Sequence, residues 1–325
     1  MNKKTGILIS NLGTPVAPTQ KAVRAYLKEF LSDPRVIDLP RWKWWPILNF
    51  IILNIRPKRS ARNYQKVWTP EGSPLLVHSQ AVAEALQKTL PDTPIALGMR
   101  YAQPSLKHAL LALRKANIER LIVLPLYPQY SATTTATTFE AVMTALRRCP
   151  ALPEIHLIRD YHDHPLYIAA LKESVLSFWQ KNGRADKLML SFHGLPQRYI
   201  TQGDPYFSQC QRTTQLLTEA LNLKPDEYIM TFQSRVGFEP WLQPYTDHAL
   251  IHLAQSETKK IQVICPGFAC DCLETLEEIN INYRQLFLNA GGQQFDYIPC
   301  LNQNAAHIAL LLELVQKNPY NHNHD

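Results

Sequence analysis

Apolar runs of four to six residues alternate along this chain with longer stretches of helical period. The runs are Gly6–Ser10, Pro94–Gly98, Leu121–Leu126, Ile155–Ile158, Lys187–Ser191, Tyr228–Phe232 and Lys260–Cys265. Between them lie stretches such as Ser105–Ala116, Thr138–Arg148, Leu166–Gln180, Ser208–Leu221 and Trp241–Ala254. Alternation of short β-branched runs with helical segments predicts an α/β protein with parallel, doubly wound sheets.

The pattern occurs twice. Leu8–Pro15 and Met189–Pro196 share Ser, Gly and Pro at matching places, Leu97–Tyr101 and Phe232–Val236 each end a run near an arginine, and Leu124-Pro125 parallels Cys265-Pro266. Three matches in the same order predict two similar domains, split near 150–165 and drawn here as 1–160 and 161–304. All six segments are strand C-termini, where open α/β sheets bind ligands. No G-x-G-x-x-G follows a strand and no P-loop occurs, so a nucleotide held by its phosphates is not expected.

Residues 41–55, RWKWWPILNFIILNI, break the pattern. Trp42, Trp44 and Trp45 precede an apolar run with basic residues at both ends. From Trp44 to Ile55 the run has 12 residues, against roughly 20 needed to cross a bilayer. It does not span. Core packing and a greasy contact surface both remain open on this reading.

Composition narrows the partners. The chain has 46% hydrophobic and 19% charged residues and a net charge of +7, which suits anionic partners. No basic tract exceeds Arg56-Pro-Lys-Arg59, so nucleic acid is not expected. The N-terminal MNKKTGILISNLGTP lacks the apolar core of a signal peptide, which predicts a cytoplasmic protein. Six cysteines, without the paired knuckles of a zinc site, read as reduced thiols. The histidines of the tail Asn321–Asp325 could bind metal only loosely.

Two constellations could carry chemistry. His193 follows a strand in a turn stiffened by Gly194 and Pro196, either as a rigidly presented base or as a turn histidine capping its neighbour. After the Pro266-Gly267 turn, a helix expected to begin near Asp271 places Asp271, Glu274 and Glu278 at i, i+3 and i+7, on one face. Acids in a first helical turn also offset the helix dipole, which accounts for Asp271 and Glu274 but not Glu278. An acidic stripe starting at a strand end could equally pass divalent cations inward.

At this point the chain resembles the ferrochelatases. The similar segments are Asn11–Pro15, Tyr26–Pro34, Gly72–Pro74, Met99–Tyr101, Tyr127–Ser131, Ser191–Pro196, Gly203–Tyr206, Gln233–Gly237, Pro240–Leu242 and Asp271–Leu276. The resemblance implies two Rossmann-like domains with parallel sheets facing across a porphyrin cleft, and a C-terminal helix, Ala305–Gln316, packed back on the first. It implies insertion of ferrous iron into a porphyrin, with His193 and Glu274 as the catalytic and metal-contacting pair and Asp271 and Glu278 as an acidic metal path. Arg56, Tyr64 and Ser73 would face the propionates. Leu12, Arg100, Tyr101, Tyr127, Trp241 and Phe268 would line the pocket. Residues 41–55 correspond to the active-site lip, with Trp44 and Trp45 its membrane-touching residues.

Three departures refine this. Cys272 stands where animal members have histidine, which puts a proton shuttle there in doubt. Ala132 and the absence of cysteine after Cys300 argue against an iron–sulfur cluster, so no tightly bound cofactor is expected and Fe²⁺ is a substrate. Leu12, where coproporphyrin enzymes have tyrosine, and the apolar lip point to protoporphyrin IX. The expected protein is a monomer with weak peripheral contact to an anionic membrane at its inner face. The competing readings are a chelatase for another metal or tetrapyrrole, a haem carrier without catalysis, and a nucleotide-sugar transferase.

Overall fold

The computed structural model describes residues 3–317 apart from Phe238 and Glu257; the histidine tail lies outside them. The chain forms two compact units. One comprises Met1–Leu126, Ala132–Arg159 and the chain from Ile308; the other comprises Tyr127–Ser131 and Asp160–His307.

In the first unit the order is β1 (Thr5–Thr14), α1 (Gln20–Phe30), α2 (Arg41–Pro46), a π-helical stretch (Ile47–Ile52), α3 (Leu53–Val67), α4 (Pro74–Thr89), β2 (Ile95–Ala102), α5 (Leu106–Lys115), β3 (Arg120–Pro125), a second π-helical stretch (Ala132–Ala136), α6 (Thr137–Leu146) and β4 (Glu154–Leu157). The second unit carries α7 (Pro165–Asn182), β5 (Lys187–His193), α8 (Gln197–Thr201), α9 (Tyr206–Ala220), β6 (Tyr228–Gln233), α10 (Thr246–Gln255), β7 (Lys260–Ile264), a third π-helical stretch (Glu274–Tyr283), α11 (Arg284–Asn289) and β8 (Gln294–Ile298). The last helix, α12 (Ala305–Gln316), belongs to the first unit from Ile308 onward.

Each unit holds one four-stranded parallel sheet, with orders β2-β1-β3-β4 and β6-β5-β7-β8. The repeat in the sequence is thus a repeat of topology: β1, β2 and β3 occupy the places of β5, β6 and β7. The shared glycine has a physical reason in each unit. A Cβ on Gly13, which sits at φ +107°, would stand 1.9 Å from the Tyr101 carbonyl oxygen of β2; one on Gly194 would stand 2.8 Å from the Gln233 carbonyl oxygen of β6. In both sheets a neighbouring backbone closes in where the central strand ends, leaving no room for a side chain.

Local signals set the helix ends. Thr19 and Ser105 cap α1 and α5 by accepting from the backbone N–H of Ala22 and His108. Pro74 and Pro165 start α4 and α7, where the missing N–H costs nothing. The cores follow the apolar positions. Leu8, Leu110, Leu113, Val123 and Val142 pack together in the first unit, and Met189, Leu250, Val263, Phe287 and Phe295 in the second. Each such side chain, fully buried, contributes about 1.5–3 kcal/mol.

Two expected elements differ. The helix expected over Trp241–Ala254 begins at Thr246, because residues 240–242 instead hydrogen-bond along 195–197: Leu242 N–H to the Leu195 carbonyl and Gln197 N–H to the Pro240 carbonyl, both 2.9 Å. β8 has no counterpart among the sequence-derived runs. Its pattern, Gln-Phe-Asp-Tyr-Ile, is half polar, since Gln294 and Asp296 are only partly buried beside Gln262.

Residues 41–55 are helical and face largely outward. Trp42 is 75% exposed, Ile55 70%, Phe50 68% and Trp45 53%, so the core reading of residues 41–55 is set aside. Leu48 and Leu53 alone turn fully inward there. Trp44 also differs from expectation: it is partly buried and its indole N–H donates to the Leu31 carbonyl at 2.6 Å. It tethers the segment, whereas Trp42 and Trp45 present it. Among the described residues no helix is long and apolar enough to cross a membrane.

Candidate active site

The second unit gathers the chemistry-bearing residues at the C-terminal edge of its sheet. His193 ends β5 in direct register with Gln233 at the end of β6. The His193 Nδ1 lies 2.6 Å from the Gly194 carbonyl oxygen. A carbonyl only accepts, so Nδ1 carries a proton, and Nε2 is the ring nitrogen left for other partners. Gly194 N–H donates to the Gln233 carbonyl at 2.7 Å, and Phe268 lies beside the imidazole with ring centroids 6.4 Å apart. The Trp241 ring packs against Gly194, as the 3.2 Å approach to an added Cβ shows.

Gln233 joins this turn to the acidic helix. Ser191 Oγ donates to Gln233 Oε1 at 2.8 Å, which turns the amide nitrogen outward. That Nε2 then donates to the Glu274 carbonyl at 3.0 Å and to Glu278 Oε2 at 3.3 Å. Glu278 also accepts from Ser234 N–H at 2.9 Å, from the Ser234 hydroxyl, and from the Tyr283 hydroxyl at 3.0 Å. Burial pushes its pKa up, outweighing the Ser234 hydrogen bond and the nearby charge of His193; the Glu274 carboxylate pushes the same way. His193, Glu274 and Glu278 therefore share one electrostatic neighbourhood.

The stripe expected at positions 271, 274 and 278 is corrected in one member. The helix starts at Leu273 and runs as a π-helix from Glu274, so the i, i+3, i+7 face of an α-helix does not apply. Asp271 precedes it, is buried, and has both oxygens engaged: Tyr297 and Thr275 donate to Oδ1 at 2.5 and 2.9 Å, and Asn302 to Oδ2 at 2.7 Å. These partners tie Asp271 to Tyr297 and to the turn at Asn302, which frame the entry of the helix. Cys272 is buried next to Glu274, and burial and that carboxylate both push its thiol pKa well up. It is held as a thiol and is unsuited to shuttle protons. Among the described residues, no group of three or more His, Cys, Asp or Glu is arranged to hold a metal ion.

Chelation chemistry on this frame is matched by relatives. A family model described as Ferrochelatase matches residues 4–319. A ferrochelatase of Vibrio cholerae is 51% identical over 315 residues, covering 97% of this chain and 98% of its own. The chain belongs to the ferrochelatase family. A ferrochelatase of Klebsiella pneumoniae is 53% identical over 311 residues, covering 96% and 97%. The fold is shared more widely. SirB from Bacillus subtilis with Fe³⁺ superposes with a TM-score of 0.58 at 12% identity, over 97% of this chain and 95% of that one. A sirohydrochlorin chelatase SirB from Bacillus subtilis subspecies spizizenii in complex with cobalt gives 0.57 at 13%, over 98% of each.

The other residues singled out in this ferrochelatase-family chain divide between the units. In the first unit Ser73 is the N-cap of α4, and its hydroxyl lies 2.7 Å from that of Thr14, two residues after Leu12. Tyr64 is buried on α3 with its ring edge-on to Trp68 at 6.1 Å, and Arg56 lies on the same helix, partly buried. Arg100 and Tyr101, expected along the pocket, are engaged with Asp33. The Tyr101 hydroxyl donates to Asp33 Oδ2 at 2.8 Å, its ring meets Phe30 edge-on at 5.1 Å, and Arg100 pairs with the same Asp33 oxygen and donates to Thr137. They form a buried ionic hub. Tyr127 opens the pentapeptide Tyr127–Ser131, which lies in the second unit because Gln129, Tyr130 and Ser131 hydrogen-bond to Thr213, Gln209 and Asp204.

Gln233, Ser234 and Tyr283 were missed as site residues. The available signal was a polar pair, Ser191 and Gln233, interrupting or ending two otherwise apolar strands.

Proposed function

We propose that this chain inserts ferrous iron into protoporphyrin IX to form protohaem, the last step of haem formation, with His193 and Glu274 at the insertion centre. The observation that carries this reading is His193, its ring held by the Gly194 carbonyl, in the same electrostatic neighbourhood as Glu274 and Glu278. Insertion replaces two pyrrole N–H bonds by bonds to iron and releases two protons. An imidazole nitrogen accepts one at neutral pH, and a carboxylate can take or relay the other. Imidazole and carboxylate also suit Fe²⁺, while two ligands are too few to trap it. Fe²⁺ is the substrate of this reaction.

Protoporphyrin is favoured over more acidic tetrapyrroles by Leu12 and by the exposed apolar lip. Anaerobic mixing of purified protein with ferrous iron and protoporphyrin should quench porphyrin fluorescence as haem forms. Turnover with coproporphyrin alone would overturn the substrate assignment, and haem binding without turnover would identify a carrier.

The lip also supports reversible contact with an anionic membrane. Trp42, Trp45, Phe50, Ile51 and Ile55 are exposed, and tryptophans flanked by Lys and Arg suit an interface. Basic residues near such a surface contribute about 1 kcal/mol each. Trp42→Ser with Trp45→Ser should weaken sedimentation with anionic liposomes and raise KM for protoporphyrin, leaving the iron dependence alone. High salt should release the wild type in part, because only the electrostatic share is screened. Unchanged liposome binding by the double variant would overturn the contact. Trp44→Ser should instead lower stability, through loss of its hydrogen bond to Leu31.

A further inference from the structure

Glu274 opens the π-helical stretch, which has no side-chain cap of its own. Its entry is held from elsewhere. Asp271, three residues earlier, is gripped twice by one side chain: Asn302 Nδ2 donates to Asp271 Oδ2 at 2.7 Å, and Asp271 N–H donates to Asn302 Oδ1 at 2.8 Å. Asp271 in turn accepts from Thr275 Oγ1 at 2.9 Å, and Thr275 Oγ1 accepts from Cys272 N–H at 3.0 Å. The residues on both sides of Glu274 are thereby tied to a single amide.

Asn302 is itself built in. Its φ of +47° lies in the left-handed region, which asparagine tolerates better than most residues. Its N–H donates to the Ala269 carbonyl at 2.9 Å, and its carbonyl accepts from Nδ1 of the buried His307 at 2.5 Å. Burial pushes the His307 pKa down to about 4, so near neutral pH the ring is uncharged with its proton on Nδ1. The frame runs from the start of α12 through the 302 turn to the entry of the π-helix.

We propose that Asn302 is a positioning residue for metal insertion, fixing Glu274 through its two-way amide clamp on Asp271. The proposal rests on the function assigned above to Glu274. It moves Asp271 from the metal path to the frame, and it adds a residue that touches neither substrate. Displacement of a reacting group by about 1 Å can cost 100-fold in rate, and groups supported by a locked frame are those whose placement survives.

The test exchanges donor and acceptor. Asn302→Asp sets a carboxylate against Asp271 where an amide donated. It should lower kcat for ferrous iron insertion by about 10- to 100-fold while KM for protoporphyrin stays within about twofold. Adding Asp271→Asn should restore the clamp in reverse: the amide at 271 donates to the carboxylate at 302, and its oxygen still accepts from Tyr297 and Thr275. That double variant should return to within about tenfold of wild type, a recovery that a space-filling role for Asn302 does not predict.

Wild-type kcat in folded Asn302→Asp would overturn the proposal, as would a double variant that regains thermal stability but not kcat. Where Asn302→Asp does not fold, the double variant decides: activity within tenfold of wild type supports the clamp, and a slower or unfolded protein overturns it. The wild type is measured alongside. A wild type without insertion activity overturns the function itself, so the two failures are distinguishable.

Discussion

His193→Ala and Glu274→Gln should each lower the rate of iron insertion at least ~100-fold, the low end for loss of general-base catalysis, while the proteins remain folded. The physical basis is specific to each residue. His193 donates from Nδ1 to the Gly194 carbonyl and lies beside the tilted Phe268 ring, so truncation removes the imidazole and little of the frame. Glu274 contributes its backbone carbonyl to Gln233, a contact that Glu274→Gln retains. The substitution removes the charge and keeps the shape. Single-turnover rates under anaerobic conditions, with circular dichroism to confirm folding, check both. Near-full activity in either folded variant would remove it from the insertion centre. Gln233 and Glu278 place the two within one hydrogen-bonded frame, so the double variant is expected to lose less than the product of the single losses.

Asp33→Asn should destabilise the first unit by about 3 kcal/mol or more, the range for breaking a buried ion pair. Asp33 is buried and accepts from Arg100, Tyr101 and Thr137, the last at 2.5 Å. The substitution leaves the Arg100 guanidinium, itself mostly shielded, facing a neutral amide. The pH dependence has a definite sign. Burial alone would raise the Asp33 pKa, but hydrogen bonds from Thr137, the Arg35 backbone and Tyr101, with the charge of Arg100, hold it below the ordinary 3.8. The native state therefore binds this proton less readily than the unfolded chain. Its contribution is fully present above about pH 4 and is lost as pH falls through the native value. Urea midpoints measured from pH 7 down to pH 3 should fall more steeply for wild type than for Asp33→Asn at the acid end. Equal slopes would refute the assignment.

Much of the architecture was legible in the one-dimensional pattern because each signal is local or repeats. Seven of the runs named from the sequence contain or overlap strands β1 to β7, since a strand buried on both faces reads as an unbroken apolar run. The Ser-Gly-Pro repeat marked the central strands of both sheets, because the same backbone approach forbids a side chain at Gly13 and Gly194. His193 and Glu274 stood out as chemical groups at strand ends. β8 did not, as its inward and outward positions alternate without a long apolar run.

What the sequence by itself determined was the class of fold, its duplication, the family and the residue types able to move protons and meet iron. Their division of labour was decided only by tertiary structure. Asp271 and Glu278 look alike in an acidic stretch, yet one accepts from Tyr297 and Asn302 and the other from Gln233, Ser234 and Tyr283 in the neighbourhood of His193. Trp44 and Trp45 are adjacent, and one is anchored to Leu31 while the other faces out. Arg100 and Tyr101 belong to Asp33, 67 and 68 positions away. Periodicity reports which face a residue occupies, but hydrogen-bond partners come from segments distant in the chain, and it is the partner that makes a carboxylate a frame or a reagent.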